Sequence, residues 1–332
     1  MDKNLLGILG VPGHRLQVIL VIWLTAWATS CAMFRPATIP DRLAAIPSQH
    51  ELKDVPFFPQ QEHQCGPAAL SMALQWTGVN VAPIDLSAEV YTPSLQGSLQ
   101  SALLGAARRH GRAAYAIDGL EDLLIQVAAD HPVVILQNLA LSWHPVWHYA
   151  VVVGYDLKSQ TIVLRSGLTA RKEISLDLFS RTWARSQKWA ISVLKPTELP
   201  EKPDESRYLE AILGLEKAGR YAEAIDGYRT ALARWPHSFA ASMGIGNSYY
   251  ALQDLHPAAD AFRVAVRLHP EKGAAYNNLA QVLSELGCRQ EALQAARTAV
   301  SLGGPMQSLY LRTLNQIENS SQKSTDHHSG RK

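Results

Sequence analysis

The chain has 332 residues, 47% of them hydrophobic and 18% charged, so it is long enough for two ordinary domains and has the make-up of a folded chain. Its formal net charge is +2, and no Lys/Arg-rich run appears before the last ten residues, which excludes a nucleic-acid face built on a basic patch. Three cysteines, Cys31, Cys65 and Cys288, stand far apart and are odd in number, which excludes a disulfide framework and a CxxC metal site.

The N-terminus reads as an address. Lys3 and Arg15 precede an apolar stretch, and the small residues Ala28, Thr29 and Ser30 lead up to Cys31. This is the layout of an export signal with a small-residue cleavage site, predicted over 1–30. The cysteine directly after that site resembles the lipobox of bacterial lipoproteins, whose thiol is acylated and becomes the new N-terminus. Ala32 after it resembles the outer-membrane version, which implies an envelope protein facing the periplasm. The alternative is an uncleaved anchor: Leu16 to Phe34 is nineteen residues without a charge, enough to cross a bilayer at about 1.5 Å per residue. Residues 31–54, Pro-rich and polar, read as a tether.

The next block, 55–197, carries a different pattern. AALSMALQW follows Cys65 with Leu70, Ala73, Leu74 and Trp76 on a helical period, and Gly78 closes the helix. Further helices are expected at 98–110 and 118–129, the latter capped by Asp118. Apolar runs then predict strands at 132–139, 147–155, 161–165 and 188–194. Helices first and an antiparallel sheet after make an α+β domain.

Cys65 stands at a helix start, in QCGPAAL. There the positive end of the helix dipole and unpaired N–H groups are expected to lower its pKa and favour the nucleophilic thiolate. Gly66 keeps a side chain away from the sulfur, and Pro67 suits the first turn, where no N–H partner is needed. A neighbouring imidazole would complete a nucleophile–base pair. His148 begins a predicted strand and is the preferred base. His144 precedes Pro145 and belongs to a loop, His63 adjoins the cysteine and is a second lining group, and His131 is expected at the surface. None has a Cys or carboxylate at metal-ligand spacing, so no metal or cofactor is implied. Trp143 and Trp147 flank the base and are expected to pack in the core, with the wall of a cleft as the alternative.

VPFFPQQEHQCGPAAL together with HYAVVVGYD resembles the papain-like cysteine peptidases of the bacteriocin-leader (double-glycine) processing family. The resemblance implies Cys65 as nucleophile, His148 as base and Gln60 as oxyanion donor, with Gln61 and Gln64 as alternatives. That family places an Asp-Pro after the base strand to orient the histidine. Here Arg165 and Ser166 occupy the place, so Ser166, or Asn138 on an earlier strand, is the candidate orienter. Transporter-linked members cut leaders in the cytoplasm; this chain has neither their exporter helices nor that address. Two other readings remain open: a papain-like amidase or acyl transferase, and a binding lipoprotein whose cysteine domain is inert.

After a linker at 198–204, self-similarity at 34 residues takes over. Ala224, Ala258 and Ala292 keep that spacing, as do Ala231, Ala265 and Ala299, and Tyr228, Phe262 and Ala296. Gly219, Gln253 and Gly287 form the column that ends each first helix. The pattern resembles the tetratricopeptide repeat and predicts three repeats with a capping helix over 205–318, then a disordered tail at 319–332. Such an array implies a groove for a protein or peptide partner. Cys288 falls in a turn and is read as incidental.

Overall fold

The computed structural model describes residues 46–60 and 63–329. The signal segment, Cys31, the first part of the tether, Gln61 and the last three residues of the tail lie outside them.

Short segments open the sheet domain. Strand β1 is Gln49–Glu51, followed by helix α1 (Cys65–Trp76), α2 (Pro83–Val90), a small hairpin of β2 (Tyr91–Thr92) and β3 (Gly97–Ser98), and α3 (Gln100–Arg109). Strand β4 (Ala113–Ala116) and α4 (Gly119–Ala128) lead into the long strands β5 (Val133–Asn138), β6 (Trp147–Asp156), β7 (Thr161–Ser166) and β8 (Thr169–Ser175). Helix α5 (Leu176–Ala184) and strand β9 (Ala190–Leu194) complete it.

Among the described residues the main sheet has seven strands, in the order β4-β9-β5-β6-β7-β8, with β1 also paired to β6. Every pairing is antiparallel. The β-branched run of β5 and β6 forms its centre, and α1 lies on it. Leu70, Met72 and Leu74 of α1 share one apolar core with Val134, Val151, Val153 and Tyr149. Each such side chain contributes roughly 1.5–3 kcal/mol by leaving water. This helix must therefore stay buried, which fixes Cys65, its first residue, against the sheet.

Several expectations need correction. The tether does not run to residue 54: β1 pairs with β6, and Leu52 and Val55 are buried. Arg165 explains the fastening. The residue is 6% exposed, and its guanidinium donates to the carbonyls of Lys53 (2.8 Å), Val55 (3.2 Å) and Ala170 (2.6 Å). Strand β9 begins at Ala190 rather than residue 188, because Gln187 and Lys188 take positive φ in the preceding turn. Asp118 makes no side-chain cap; its N–H instead donates to Asp122 Oδ2 at 2.9 Å. His131 is half-buried, with its pKa lowered by burial, and sits 3.2 Å from Gln126 Oε1. No helix among the described residues is long and apolar enough to cross a membrane.

The repeats follow as helix pairs: α6 (Glu205–Lys217) with α7 (Tyr221–Arg234), α8 (Phe239–Ala251) with α9 (Leu255–Leu268), and α10 (Gly273–Glu285) with α11 (Arg289–Leu302). Helix α12 (Gln307–Ser329) caps them and extends into the stretch expected as a disordered tail. The six recurrent alanines are each 0% exposed, which lets the helices of a pair approach. Tyr228 fills the space between the first and second units, where a Cβ at Gly244 would meet its ring at 2.3 Å, and Phe262 fills the space inside its own pair, where a Cβ at Gly246 would meet its ring at 2.4 Å. Gly219, Gln253 and Gly287 all take a left-handed φ, at 74°, 63° and 78°. Those two glycines end their helices without strain, and Gln253 takes the same turn at a modest cost.

The linker is pinned rather than loose. Gln126 donates to Glu201 O (2.8 Å) and accepts from Glu201 N (3.1 Å). Tyr208 of α6 donates to Pro196 O at 2.7 Å, and Arg207 pairs with Asp122 at 2.5 Å while lying 5.0 Å over the Tyr115 ring of β4. The first repeat thus packs directly against the edge of the sheet.

Candidate active site

A cleft of about 970 Å³ opens where the N-terminus of α1 meets the start of β6. Gln60, Cys65, His148 and Gly167 all line it. Helix α1 has no acidic residue in its first turn to offset the positive end of its dipole.

The thiol is largely buried and receives backbone N–H groups of Tyr149, Gly66 and Cys65 itself. Those N–H groups lower its pKa, as the helix start leads one to expect, but burial raises it by more, and the net direction is upward. The expectation of a depressed thiol pKa is thus corrected by desolvation. His148 moves the other way: burial and the positive charge of Lys172 push its pKa down to about 4. The resting pair at neutral pH is therefore a neutral thiol and a neutral imidazole. No hydrogen bond joins the two side chains among the described contacts, and catalytic contacts often tighten only when substrate is bound.

His148 Nε2 lies 2.9 Å from Ser166 Oγ on the adjacent strand β7, and Ser166 is 3% exposed. Asn138, the alternative orienter, is occupied elsewhere. Its Oδ1 accepts from Ala140 N and Val146 N, both at 3.0 Å, which shapes the 139–146 loop.

Gln60 is held on two sides. Its backbone N–H donates to Gly167 O at 2.9 Å, and its Oε1 accepts from Gly167 N at 2.7 Å. Nε2 donates one proton to Tyr149 O at 3.2 Å. An amide nitrogen has two protons, so the second is available to an oxyanion in the cleft. Gln64 is not among the residues lining the cleft, and its Oε1 accepts from Ser87 Oγ at 2.7 Å.

Trp143 and Trp147 are 81% and 52% exposed, so neither packs in the core; Trp147 lines the cleft. His63 also lines the cleft, while the His144 ring stands beside Trp143. Cys288 is exposed at the start of α11. No group of three or more His, Cys, Asp or Glu among the described residues is arranged to hold a metal ion.

Sequence reasoning missed the second wall of the cleft. The β2–β3 hairpin reaches it through Leu95 to Ser98, and Tyr149 Oη donates to Ser98 O at 3.1 Å. Gly66 admits this hairpin: a Cβ there would lie 2.7 Å from Ser98 Oγ and 2.8 Å from Ser98 Cβ. Its first purpose is thus close approach to Ser98, not clearance around the sulfur. Gly66→Ala is expected to destabilise the fold by about 1–3 kcal/mol through overpacking. Ser98→Gly in the same chain should recover part of that loss in urea unfolding.

Comparison with known proteins fits this division of the chain. Residues 52–191 match the Peptidase_C39 like family, and residues 209–272 and 245–306 match the tetratricopeptide repeat. The chain joins a Peptidase_C39-like domain to a tetratricopeptide array. No curated protein matches it. Among solved structures, a C39-like peptidase from Bacillus anthracis is 23% identical, over 44% of this chain and 98% of that one, with a TM-score of 0.38. The first tetratricopeptide domain of Spaghetti, solved with an HSP90 peptide, is 22% identical over 35% and 91% of the two chains, with a TM-score of 0.33. The Sgt2 tetratricopeptide domain from Aspergillus fumigatus is 17% identical over 38% and 83%, with a TM-score of 0.35.

Within the Peptidase_C39-like domain the short hydroxyl of Ser166 takes the place expected for a carboxylate. A hydroxyl fixes the imidazole ring by a hydrogen bond but adds no charge to stabilise an imidazolium. The low pKa of His148 follows from that chemistry, since nothing there offsets burial.

Proposed function

We propose that the chain is an exported, lipid-anchored cysteine peptidase whose repeats hold a protein partner or substrate. The supporting observation is that Cys65, His148 and Gln60 line one cleft, with Ser166 bonded to the imidazole. Cys65 Sγ attacks the peptide carbonyl while His148 takes the thiol proton and later passes it to the leaving amine. Gln60 Nε2 and the backbone N–H of Cys65 hold the oxyanion. Because the resting pair is neutral, proton transfer accompanies attack and does not precede it. The domain needs no metal for this sequence of steps.

Export and anchoring rest on the signal-like stretch ending at Cys31. On this reading Cys31 carries the lipid, and the protein faces the periplasm from the outer membrane. An intact-mass measurement of the mature protein without an acyl chain on Cys31 rejects the anchor.

The catalytic reading is tested with a peptidyl thiol-directed probe, read by mass spectrometry on the peptide containing Cys65. Labelling is expected in the natural protein and lost in Cys65→Ala. In His148→Ala it should fall by at least tenfold, given the usual contribution of a positioned base. Equal labelling of the natural protein and His148→Ala, or none under reducing conditions, sinks the peptidase and favours an inert binding domain.

A further inference from the structure

Several arginines in this fold pair with carboxylates: Arg109 with Glu89, Arg171 with Glu51, Arg207 with Asp122, and Arg263 with Asp260 and Glu291. Arg185 does not. It stands at the end of α5 and lines the same cleft as Cys65 and His148. Its Nη1 donates to Ala140 O at 2.8 Å and to Asn138 O at 3.3 Å. Among the described residues, Nε and Nη2 have no acceptor, and no carboxylate faces the guanidinium.

Two further observations bear on what it faces. The described residues lining the cleft include no Asp or Glu. Leu95, Leu99, Val146 and Trp147 line it too, each between 49% and 58% exposed. The cleft therefore combines exposed apolar side chains and neutral polar groups with one arginine cation. The two carbonyl bonds tether Nη1 of this exposed side chain before any ligand arrives, so part of its rotamer freedom is already lost. A planar fork with spare donors matches a carboxylate better than any neutral peptide group.

We propose that Arg185 is a specificity-determining residue that receives a carboxylate of an otherwise apolar peptide substrate, borne by a chain end or an acidic side chain. This rests on the peptidase reading above. The carboxylate is bound, not cleaved, and the scissile bond lies elsewhere along the cleft at Cys65. Apolar neighbours in the substrate take the aromatic and aliphatic walls.

The test is cleavage of a peptide library by the full-length protein, with products mapped by mass spectrometry. Library members carry Glu or Gln scanned through each position, and end in a free carboxylate or a carboxamide. The natural protein is expected to favour the charged member of a pair at one position, or at the chain end, by about tenfold or more, as a charge-assisted contact allows. Which arm shows the preference tells a side chain from a chain end. In Arg185→Gln the ratio between paired peptides should fall to about one, and Arg185→Lys should keep an intermediate ratio because its charge lacks the fork. Reading the ratio separates recognition from any loosening of the 139–146 loop, which slows both members alike. Cleavage without an acidic preference, or a preference that survives Arg185→Gln, overturns the assignment and leaves the peptidase standing. Failure to cleave any member, with Cys65 also unlabelled by the probe, removes the peptidase reading and this inference with it.

Discussion

Replacing Ser166 by aspartate is expected to raise the pKa of His148 and to make Cys65 reactive on the acid side of neutral pH. In the natural protein the imidazole is neutral above about pH 4, and burial raises the thiol pKa. Alkylation of Cys65 by iodoacetamide should therefore be slow at pH 7 and rise only on the alkaline side. A carboxylate in place of the hydroxyl, 2.9 Å from Nε2 in the present geometry, stabilises the imidazolium, and such a neighbour moves a pKa by roughly 1–3 units. The raised value means that His148 holds its proton to higher pH, and that positive charge in turn lowers the thiol pKa. Ser166→Asp should thus show an added reactive shoulder between pH 5 and pH 7, as estimated by that ~1–3 unit shift. Its rate there should exceed the natural rate by about tenfold, which corresponds to one unit. Ser166→Ala should show no shoulder and should lower kcat/KM by about ten- to a hundredfold, because the imidazole loses the bond that orients it. Identical profiles for the natural protein and Ser166→Asp refute the contact between Ser166 and the imidazole. Exposed Cys288 serves as the internal reference.

The second large effect concerns Gln60. Gln60→Ala is expected to lower kcat for peptide hydrolysis by about 10²–10³, the usual cost of removing one oxyanion donor. Alkylation by iodoacetamide passes through no tetrahedral oxyanion, so its rate at Cys65 should change far less. The variant also loses the bonds to Gly167 N and Tyr149 O, and the buried groups left behind cost about 1–3 kcal/mol in urea unfolding. A parallel collapse of alkylation and hydrolysis assigns Gln60 to scaffolding alone.

Much of the architecture was legible because its signals are local. The β-branched runs of β5, β6 and β7 can only be buried strands, and the alanine columns at 34 residues leave little alternative to stacked helix pairs. The strand β8 reads TARKEIS and is exposed almost throughout, so it shows no apolar alternation; it is an edge that the backbone of β7 recruits. Strand β1 has three residues, too few for any period, and its place depends on β6 more than a hundred positions later. Trp143 and Trp147 misled because large aromatics usually go inside, whereas here they dress a loop and a cleft.

The site divides in the same way. Cys65 at a helix start and His148 at a strand start are readable from neighbours in sequence. What separates Gln60 from Gln64 is not: one amide is clasped by Gly167 and the other by Ser87, both remote in sequence. The balance between burial and N–H groups at the thiol is likewise a matter of packing, and no spacing of residues shows its sign.

Arg165 has a mechanical meaning. Pull on the chain ahead of residue 47 meets, in order, Tyr155 Oη on Pro47 O, Leu157 N on Ser48 O, the β1–β6 ladder, and the Arg165 clasp on Lys53 and Val55. Only after those does tension reach Gln60. The clasp acts as a strain relief, like the knot behind a plug, so tension ahead of residue 47 is taken up before it reaches Gln60.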